Sequence, residues 1–285
     1  MNTLIKDSMP LNVKAVSNAE ANLAKSNNIP LFRGVLFENL KDDFGNEILN
    51  PVSTNTVVIG GAILALEHLT ASSADFMPGT LNSILNINAD VADTSGTRPS
   101  IALFGLGTGG ASLDFGSIVA KDIKSRNIPG LVPMRVGENL SGPDAAKYFM
   151  KKLNTDGTTY SWYLKEFADN IEIKTLWKDA LEEDVDGTEI TSEVYDSDRT
   201  EGIESFAEIK ISLNINDVRD YFLSIGEQDM ARYNTLGIYT GNKVTLPDGS
   251  TDYVNVRLFA YTNFNNRDLS QATEALYTYR IYSLT

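Results

Sequence analysis

This chain contains no cysteine, so its fold must be held together without disulfides or thiolate metal sites. It can still build a core, because 42% of its 285 residues are hydrophobic and a chain of this length buries about three quarters of its unfolded surface. Histidine is almost as scarce, since His68 is the only one. The chain therefore carries little of the side-chain chemistry that most enzymes use, and the sequence favours a structural or assembly role.

The charge balance argues against nucleic-acid binding. The chain has 38 acidic and 24 basic residues and a formal charge of −14, and a phosphate backbone repels such a surface unless Lys and Arg form a stripe, which we do not find. We expect the charge to keep the protein soluble. The alternative is a negatively charged channel through which DNA slides without sticking.

Neither a signal peptide nor a membrane helix is indicated. Residues 1–15 lack the apolar stretch of a signal peptide. The longest apolar run, Val57–Leu66, is interrupted by Gly60 and Gly61 and has about half the length that a membrane helix needs. We expect a soluble, non-secreted protein with no membrane partner.

The first half of the chain predicts helices and strands in alternation. Residues 1–30 are polar and predict an N-terminal arm, and residues 31–157 predict a mixed α/β domain. The elements expected in that domain are a strand at 31–37, a buried helix at 56–69 capped by Asn55 or Thr56, a long loop at 71–100, a buried strand at 101–104, a glycine-rich loop at 105–116 and a helix that begins at Ser141-Gly142-Pro143-Asp144, runs through Met150 and stops near 154–157.

The second half predicts mainly β-structure, and we assign residues 158–285 to a β-rich domain. Aromatic and β-branched runs predict strands at 160–165, 171–177, 206–213, 236–240, 244–246, 253–261 and 276–282. Pro247-Asp248-Gly249-Ser250 predicts the turn of a hairpin, and Asp217–Leu223 predicts a short helix ending at Gly226. The sequence as a whole predicts an α+β fold with a domain boundary near residues 155–160.

One segment resembles a dinucleotide-binding loop. Gly105-Leu106-Gly107-Thr108-Gly109-Gly110 matches G-x-G-x-x-G after a predicted strand, and such glycines bring backbone amides close to a pyrophosphate. The motif needs a following helix and an acid about 20 residues on, but Gly116, Pro129 and Pro133 interrupt the segments that follow. The alternative interpretation is a flexible or tightly packed glycine loop that lets chains or strands approach closely.

A second segment resembles a calcium loop. Glu182-Glu183-Asp184-Val185-Asp186-Gly187, followed by Glu193, places oxygen ligands at loop positions 1, 3, 5 and 12 with glycine at position 6. Position 1 is Glu182 where Asp is usual, and position 8 is the charged Glu189 where an apolar residue is usual. The alternative interpretation is a solvated acidic turn, and we predict no metal, cofactor or catalytic residue from the sequence.

The remaining candidate residues have ordinary structural interpretations beside the functional ones. A lone His68 cannot supply a metal cluster or a Ser-His-Asp site, so we expect it to cap a helix C-terminus or to pack in the core. Acidic pairs that could serve a glycosidase are abundant among the 38 acids. Trp162 and Trp177 could line a sugar platform, or they pack in a core or an interface.

The chain as a whole is similar to tailed-bacteriophage virion structural proteins. The likeness lies in the cysteine-free, acidic, Asn- and Thr-rich composition, in the glycine segment 104–110, and in C-terminal runs at 230–237, 256–264 and 278–283. It implies a multi-copy building block of the neck, collar, tail or baseplate that self-associates in a ring and contacts other virion proteins, without implying functional residues. The alternatives are a hydrolase that uses acidic residues or calcium, and a glycan-binding module of a tail fibre.

Overall fold

The computed structural model describes most of the chain in separate ranges. These are residues 32–41, 47–54, 56–57, 59–75, 79–114, 117–120, 128, 130–177, 188–190, 202–227, 231–268 and 274–283. The predicted arm at 1–30 and most of the acidic stretch at 179–204 lie outside the described residues.

The fold is mostly antiparallel β-sheet, with 52% strand and 17% helix, which agrees with a β-rich α+β fold. In chain order the strands are β1 (Phe32–Lys41), β2 (Glu47–Thr54), β3 (Thr56–Val57), β4 (Ser100–Gly107), β5 (Ala111–Asp114), β6 (Ser117–Ala120), β7 (Leu131–Val132), β8 (Arg135–Gly137), β9 (Tyr148–Leu153), β10 (Tyr160–Glu166), β11 (Glu172–Trp177), β12 (Thr188–Glu189), β13 (Ile203–Asn214), β14 (Arg232–Thr245), β15 (Thr251–Asp268) and β16 (Glu274–Ser283). The helices are α1 (Ile59–Thr70), α2 (Leu81–Leu85) and α3 (Ile215–Ser224), with a 3₁₀ helix at Gly142–Lys147.

Two sheets account for most of these strands. The larger has the order β3-β15-β14-β4-β10-β8, with β7 on β4 and β9 on β10, and the other has the order β12-β11-β13-β16-β1-β2. Strands β5 and β6 form a separate hairpin. The C-terminal strand β16 therefore pairs inside a sheet of its own chain, between β13 and β1.

The hairpin of β14 and β15 confirms the clearest turn prediction. The Leu246 amide donates to the Ser250 carbonyl at 2.7 Å, the Asp248 carboxylate accepts from the Ser250 amide at 2.9 Å, and Gly249 has φ +83°. That backbone conformation strains any residue with a Cβ atom, so glycine at this position is part of the turn signal.

The helix predicted through Met150 is wrong. Only a 3₁₀ turn forms, and Ser141 makes no side-chain capping hydrogen bond. The chain then enters β9, which pairs with β10 in the register Phe149 to Leu164 and Tyr148 to Lys165. Phe149 and Met150 are buried, so burial in the sheet outweighs the local helix signal, which is a weak determinant on its own.

Helix α1 forms as predicted, but only one of its faces is buried, whereas the sequence predicts a buried helix. Thr56, predicted as a cap, lies in strand β3, and the helix begins at Ile59. One face packs on the sheet, where Leu64 is buried and Gly61 lies so close to β15 that a Cβ atom would come within 2.3 Å of the Phe259 carbonyl oxygen. The opposite face is open, with Leu69 exposed by 70%.

The described part of the long loop at 71–100 is tied to the sheet by hydrogen bonds from its own chain. The Asn82 amide donates to the Tyr253 carbonyl at 2.9 Å and accepts from the Val256 amide at 3.0 Å. Asp93 accepts from the Asn242 side chain at 2.6 Å. These hydrogen bonds are made within one chain, so they hold the described part of the loop on the sheet without a partner.

Contacts between Cα atoms divide the chain into two units. One comprises Met1–Arg33, Ile173–Ala207 and Ile281–Thr285, and the other comprises Gly34–Glu172 and Glu208–Arg280. The predicted boundary near residues 155–160 falls at the turn between β9 and β10, which pair with each other inside the second unit. Helix α1, helix α3 and strand β10, which carry the main candidate sites described below, belong to that second unit.

Candidate functional site

The exposed face of α1 is an apolar surface formed by Ala62, Leu66 and Leu69. These residues recur at helical spacing, so they share one side of the helix. Leu66 is exposed by 48% and Leu69 by 70%, and Ala62 is exposed as well. We call this group the α1 face. Large apolar side chains adjacent on one helix face mark an interaction surface more often than isolated exposed ones do.

The polar groups next to the α1 face already have partners in the chain. The Glu67 carboxylate accepts from the Ala74 amide at 2.8 Å, His68 Nε2 donates to the Pro99 carbonyl at 2.9 Å, and the Thr70 hydroxyl donates to the Leu66 carbonyl at 2.8 Å. Covering the face would therefore leave these groups paired, which removes the usual penalty for burying polar groups without partners.

His68 therefore has a role close to the predicted one but not identical with it. It lies in the last turn of α1, as expected. It is exposed rather than packed in the core, and it joins the helix to the Pro99 carbonyl instead of capping a carbonyl of its own helix.

A buried polar cluster centres on Asp217, whose side chain is completely buried. Its Oδ2 atom lies 2.7 Å from Lys165 Nζ and accepts from the Asn214 amide at 2.8 Å. Its Oδ1 atom accepts from the Tyr148 hydroxyl. Lys165 Nζ also donates to the Ser212 carbonyl at 3.1 Å, so both charged groups are enclosed by hydrogen-bonding partners.

Helix α3 fixes the position of Asp217. Asn214 is the N-cap: its side chain accepts from the amides of Asn216 and Asp217, and the Asp217 carboxylate accepts from the Asn214 amide, which completes a capping box. The helix then ends before Gly226, as the sequence predicts. Asn214 and Asp217 are a local signal for the capping box, but nothing local in the sequence points to Lys165 or Tyr148.

The edge of the cluster carries a second ion pair. Arg135 Nε lies 2.6 Å from Asp220 Oδ2, and its guanidinium lies 5.4 Å from the centre of the Tyr148 ring. Burial, reinforced by the Asp217 carboxylate, raises the pKa of Tyr148 well above its ordinary value. Tyr148 therefore remains a protonated hydrogen-bond donor to Asp217 at physiological pH.

A cleft of about 740 Å³ opens where β10 ends beside β4. It is lined by Ser100–Ala102, Glu166–Ile171 and Tyr253. Glu166 Oε1 accepts from Lys243 Nζ at 2.8 Å and from the Tyr253 hydroxyl at 2.6 Å. Burial, together with this carboxylate, raises the pKa of Tyr253 above its ordinary value. Of the two acids in the cleft, Glu166 is thus already held by two donors, and Asp169 is exposed.

The glycine motif does not form a nucleotide loop. Gly105 and Gly107 lie inside strand β4, and the segment that follows is strand β5, where the motif requires a helix. A Cβ atom on Gly105 would lie 2.7 Å from Leu164 Cδ2, and one on Gly110 would lie 2.6 Å from the Asn234 carbonyl oxygen. The close approach of strands agrees with the alternative interpretation, but the predicted loop at 105–116 is wrong in part, because residues 105–107 and 111–114 lie in strands β4 and β5.

Of the other predicted sites, the calcium loop is described only in part, and the two tryptophans are described in full. Glu182, Asp184, Asp186 and Glu193 of the calcium loop lie outside the described residues, and Glu189 lies in β12. Trp162 and Trp177 are exposed by 4% and 6%, so neither offers a face for sugar stacking. Across the described ranges, no three His, Asp or Glu side chains are grouped as a metal ion would need.

Comparison with known proteins gives no relative: no family model, curated protein or solved structure matches the chain. Within the described ranges, none of the helices is both long and apolar enough to span a bilayer. The case for a function therefore depends on the sequence and on the surfaces described above.

Proposed function

We propose that this chain is a multi-copy structural protein of a tailed-bacteriophage virion, which self-associates in a ring of the neck, collar or tail-connector type. It assembles in the host cytoplasm and is retained in the particle. The observation that carries the proposal is the α1 face, an apolar helix surface whose neighbouring polar groups are already paired. The composition and the runs that resemble virion proteins support the same class.

A second copy of this chain is the occupant we propose for the α1 face. Ring assemblies repeat one interface around an axis, and a surface on every copy is buried in each repeat. Burial of a leucine side chain contributes about 1.5–3 kcal/mol when it is fully exposed beforehand. With exposures of 48% and 70% for Leu66 and Leu69, complete burial of both would contribute about 2 to 3.5 kcal/mol per interface.

Single cysteines test this contact directly, because the natural chain has none. We expect the thiol of Leu69→Cys to lose reactivity towards a polar maleimide as the protein concentration rises. Leu223→Cys is the matched control, since Leu223 is also a leucine in a helix and is exposed by 55%. Equal reactivity of the two thiols at every concentration would contradict burial of the α1 face by a second copy.

The cleft favours one rival function, a hydrolase that uses acidic residues. Glu166 and Asp169 line it, and a pair of carboxyl groups is the machinery of most glycosidases. Hydrolysis of chromogenic glycosides that is lost in Asp169→Asn and kept in Asp144→Asn would support the rival. Asp144 is the control because it lies outside the residues that line the cleft.

Calcium dependence is a separate question, because the ligand positions Glu182, Asp184, Asp186 and Glu193 of the loop at 182–193 lie outside the described residues. A rise in melting temperature on addition of calcium, abolished by Asp184→Asn and Asp186→Asn together, would support a calcium site in that loop. The structural proposal requires no such rise.

A further inference from the structure

We propose that Lys165 and Asp217 form an intramolecular isopeptide bond, a covalent amide between the lysine Nζ and the aspartate Cγ. The two residues are 52 positions apart in the chain, and the bond would join strand β10 to helix α3. This inference does not depend on the proposed function, although a permanent cross-link suits a protein that must survive in a particle.

The first argument is proximity in an enclosed site. Lys165 Nζ lies 2.7 Å from Asp217 Oδ2, and the two side chains are exposed by 10% and 0%. Holding two reacting groups at this separation replaces an encounter in solution by a step within one molecule, which accounts for a large part of many enzymatic rate enhancements. Water, the product of amide formation, is also scarce in such a site.

The second argument concerns protonation. An amine attacks a carboxyl group only when the amine is neutral and the acid is protonated. The step therefore begins with transfer of one proton from the Lys165 ammonium to the Asp217 carboxylate, across the 2.7 Å contact between Nζ and Oδ2. The Tyr148 ring, whose centre lies 5.3 Å from Nζ, makes a cation–π contact that holds the lysine head beside Asp217 before the proton moves.

The third argument is the set of donors on the carboxyl group. The Tyr148 hydroxyl donates to Oδ1 and the Asn214 amide donates to Oδ2 at 2.8 Å. Negative charge builds on these oxygens when nitrogen adds to Cγ, and fixed donors already aimed at them stabilise that charge as in an oxyanion hole.

The step balances without an added reagent. The Lys165 nitrogen lone pair forms the N–C bond to Cγ, and the C–O bond to one carboxyl oxygen breaks. That oxygen leaves as water, with the proton first transferred from the ammonium and a second proton from the nitrogen. No group is oxidised or reduced, and the product is a neutral amide in place of two charges.

The intact mass of the purified wild-type protein tests the proposal, because amide formation lowers the mass of the 31.2 kDa chain by one water. We expect this loss in wild type, together with a branched proteolytic peptide that joins the segments around Lys165 and Asp217. Asp217→Asn is expected to lose ammonia instead of water. Lys165→Arg, which keeps the positive charge but lacks the nucleophilic amine, should show the full mass of its sequence.

A nearby variant controls for general disturbance of the cluster. Asp220→Asn removes a carboxylate that pairs with Arg135 rather than with Lys165, so we expect it to retain the loss of one water. A wild-type protein with the full sequence mass, after prolonged incubation and with no branched peptide, would overturn the proposal and leave an ordinary buried ion pair. Because this measurement uses wild type, it is decisive even where a variant does not fold.

Discussion

Replacement of Asn82 by alanine tests whether the loop at 79–100 is locked to the sheet as the structure describes. The Asn82 side chain is exposed by 3% and serves three backbone groups. It donates to the carbonyls of Ile87 at 3.1 Å and Tyr253 at 2.9 Å, and it accepts from the amide of Val256 at 3.0 Å. Between these two β15 partners lies Asn255, a non-glycine residue with φ +54°.

The expected loss follows from those three groups. Each buried backbone group left without a partner costs about 1–3 kcal/mol, and some relaxation or entry of water will reduce the sum. We expect Asn82→Ala to lower the free energy of unfolding by about 3–5 kcal/mol. The melting temperature of a unit of this size should then fall by roughly 6–20 °C.

Urea denaturation and thermal unfolding measure this loss. Asn170→Ala is the control, because Asn170 is exposed in the cleft, and a change within about 0.5 kcal/mol is expected there. Asn82→Asp keeps the oxygen that accepts from the Val256 amide, but it replaces the donating NH₂ group by a second oxygen that faces the carbonyls of Ile87 and Tyr253. Because these oxygens repel each other, Asn82→Asp should be at least as destabilising as Asn82→Ala. A loss below about 1 kcal/mol for Asn82→Ala would refute the reasoning, since that is the smallest cost of one unpaired group.

Three further substitutions test other parts of the fold. Gly110→Ala places a Cβ atom 2.0 Å from Thr235 Oγ1 and should lower the free energy of unfolding, measured in urea, by about 1–3 kcal/mol. Gly79→Ala is the control: its Cβ atom would lie 3.9 Å from the nearest atom, Ser83 Oγ, so the urea midpoint should be unchanged. Burial raises the pKa of Asp252, so the folded state binds the carboxyl proton more tightly than the unfolded state does. This proton binding adds to the free energy of unfolding in full below the ordinary carboxyl pKa, and the contribution is lost as pH rises through the raised pKa. Wild type should therefore gain stability relative to Asp252→Asn as pH is lowered from neutral, by about 1.4 kcal/mol for each unit of pKa increase, and a pH-independent difference in urea titrations would contradict this. Arg280→Met removes the 2.8 Å ion-pair partner of buried Glu208 and should cost about 3–5 kcal/mol, with part of the loss recovered in calorimetry when Glu208→Gln is added.

The sequence predicted best those elements whose signal is local. The buried strand at 101–104 and the hairpin around Asp248-Gly249 were both recognisable, because apolar composition and turn chemistry act within a few residues. The same local reasoning failed at Ser141–Met150, where a good helix start leads only into a 3₁₀ turn. There the side chains that follow gain more by burial in the sheet beside β10 than a helix could provide.

The candidate sites were harder to predict, because their parts are distant in the chain. Tyr148, Lys165 and Asp217 meet across 69 and 52 positions, and only the capping box of α3 leaves a recognisable pattern. The exposed α1 face could not be predicted from the sequence for a different reason. A helix that is apolar around most of its circumference predicts burial on all sides, and the sequence does not say whether its own chain or another copy covers the second face.

The mass of the wild-type protein in solution, measured by light scattering over a range of concentrations, tests self-association through the α1 face most directly. We predict a discrete multimer, or a mass that rises with concentration. For Leu66→Lys with Leu69→Lys we predict association weakened by roughly 30- to 300-fold, the equivalent of about 2 to 3.5 kcal/mol. A wild-type protein that stays monomeric at every concentration, or a double variant that assembles as well as wild type, would contradict the account.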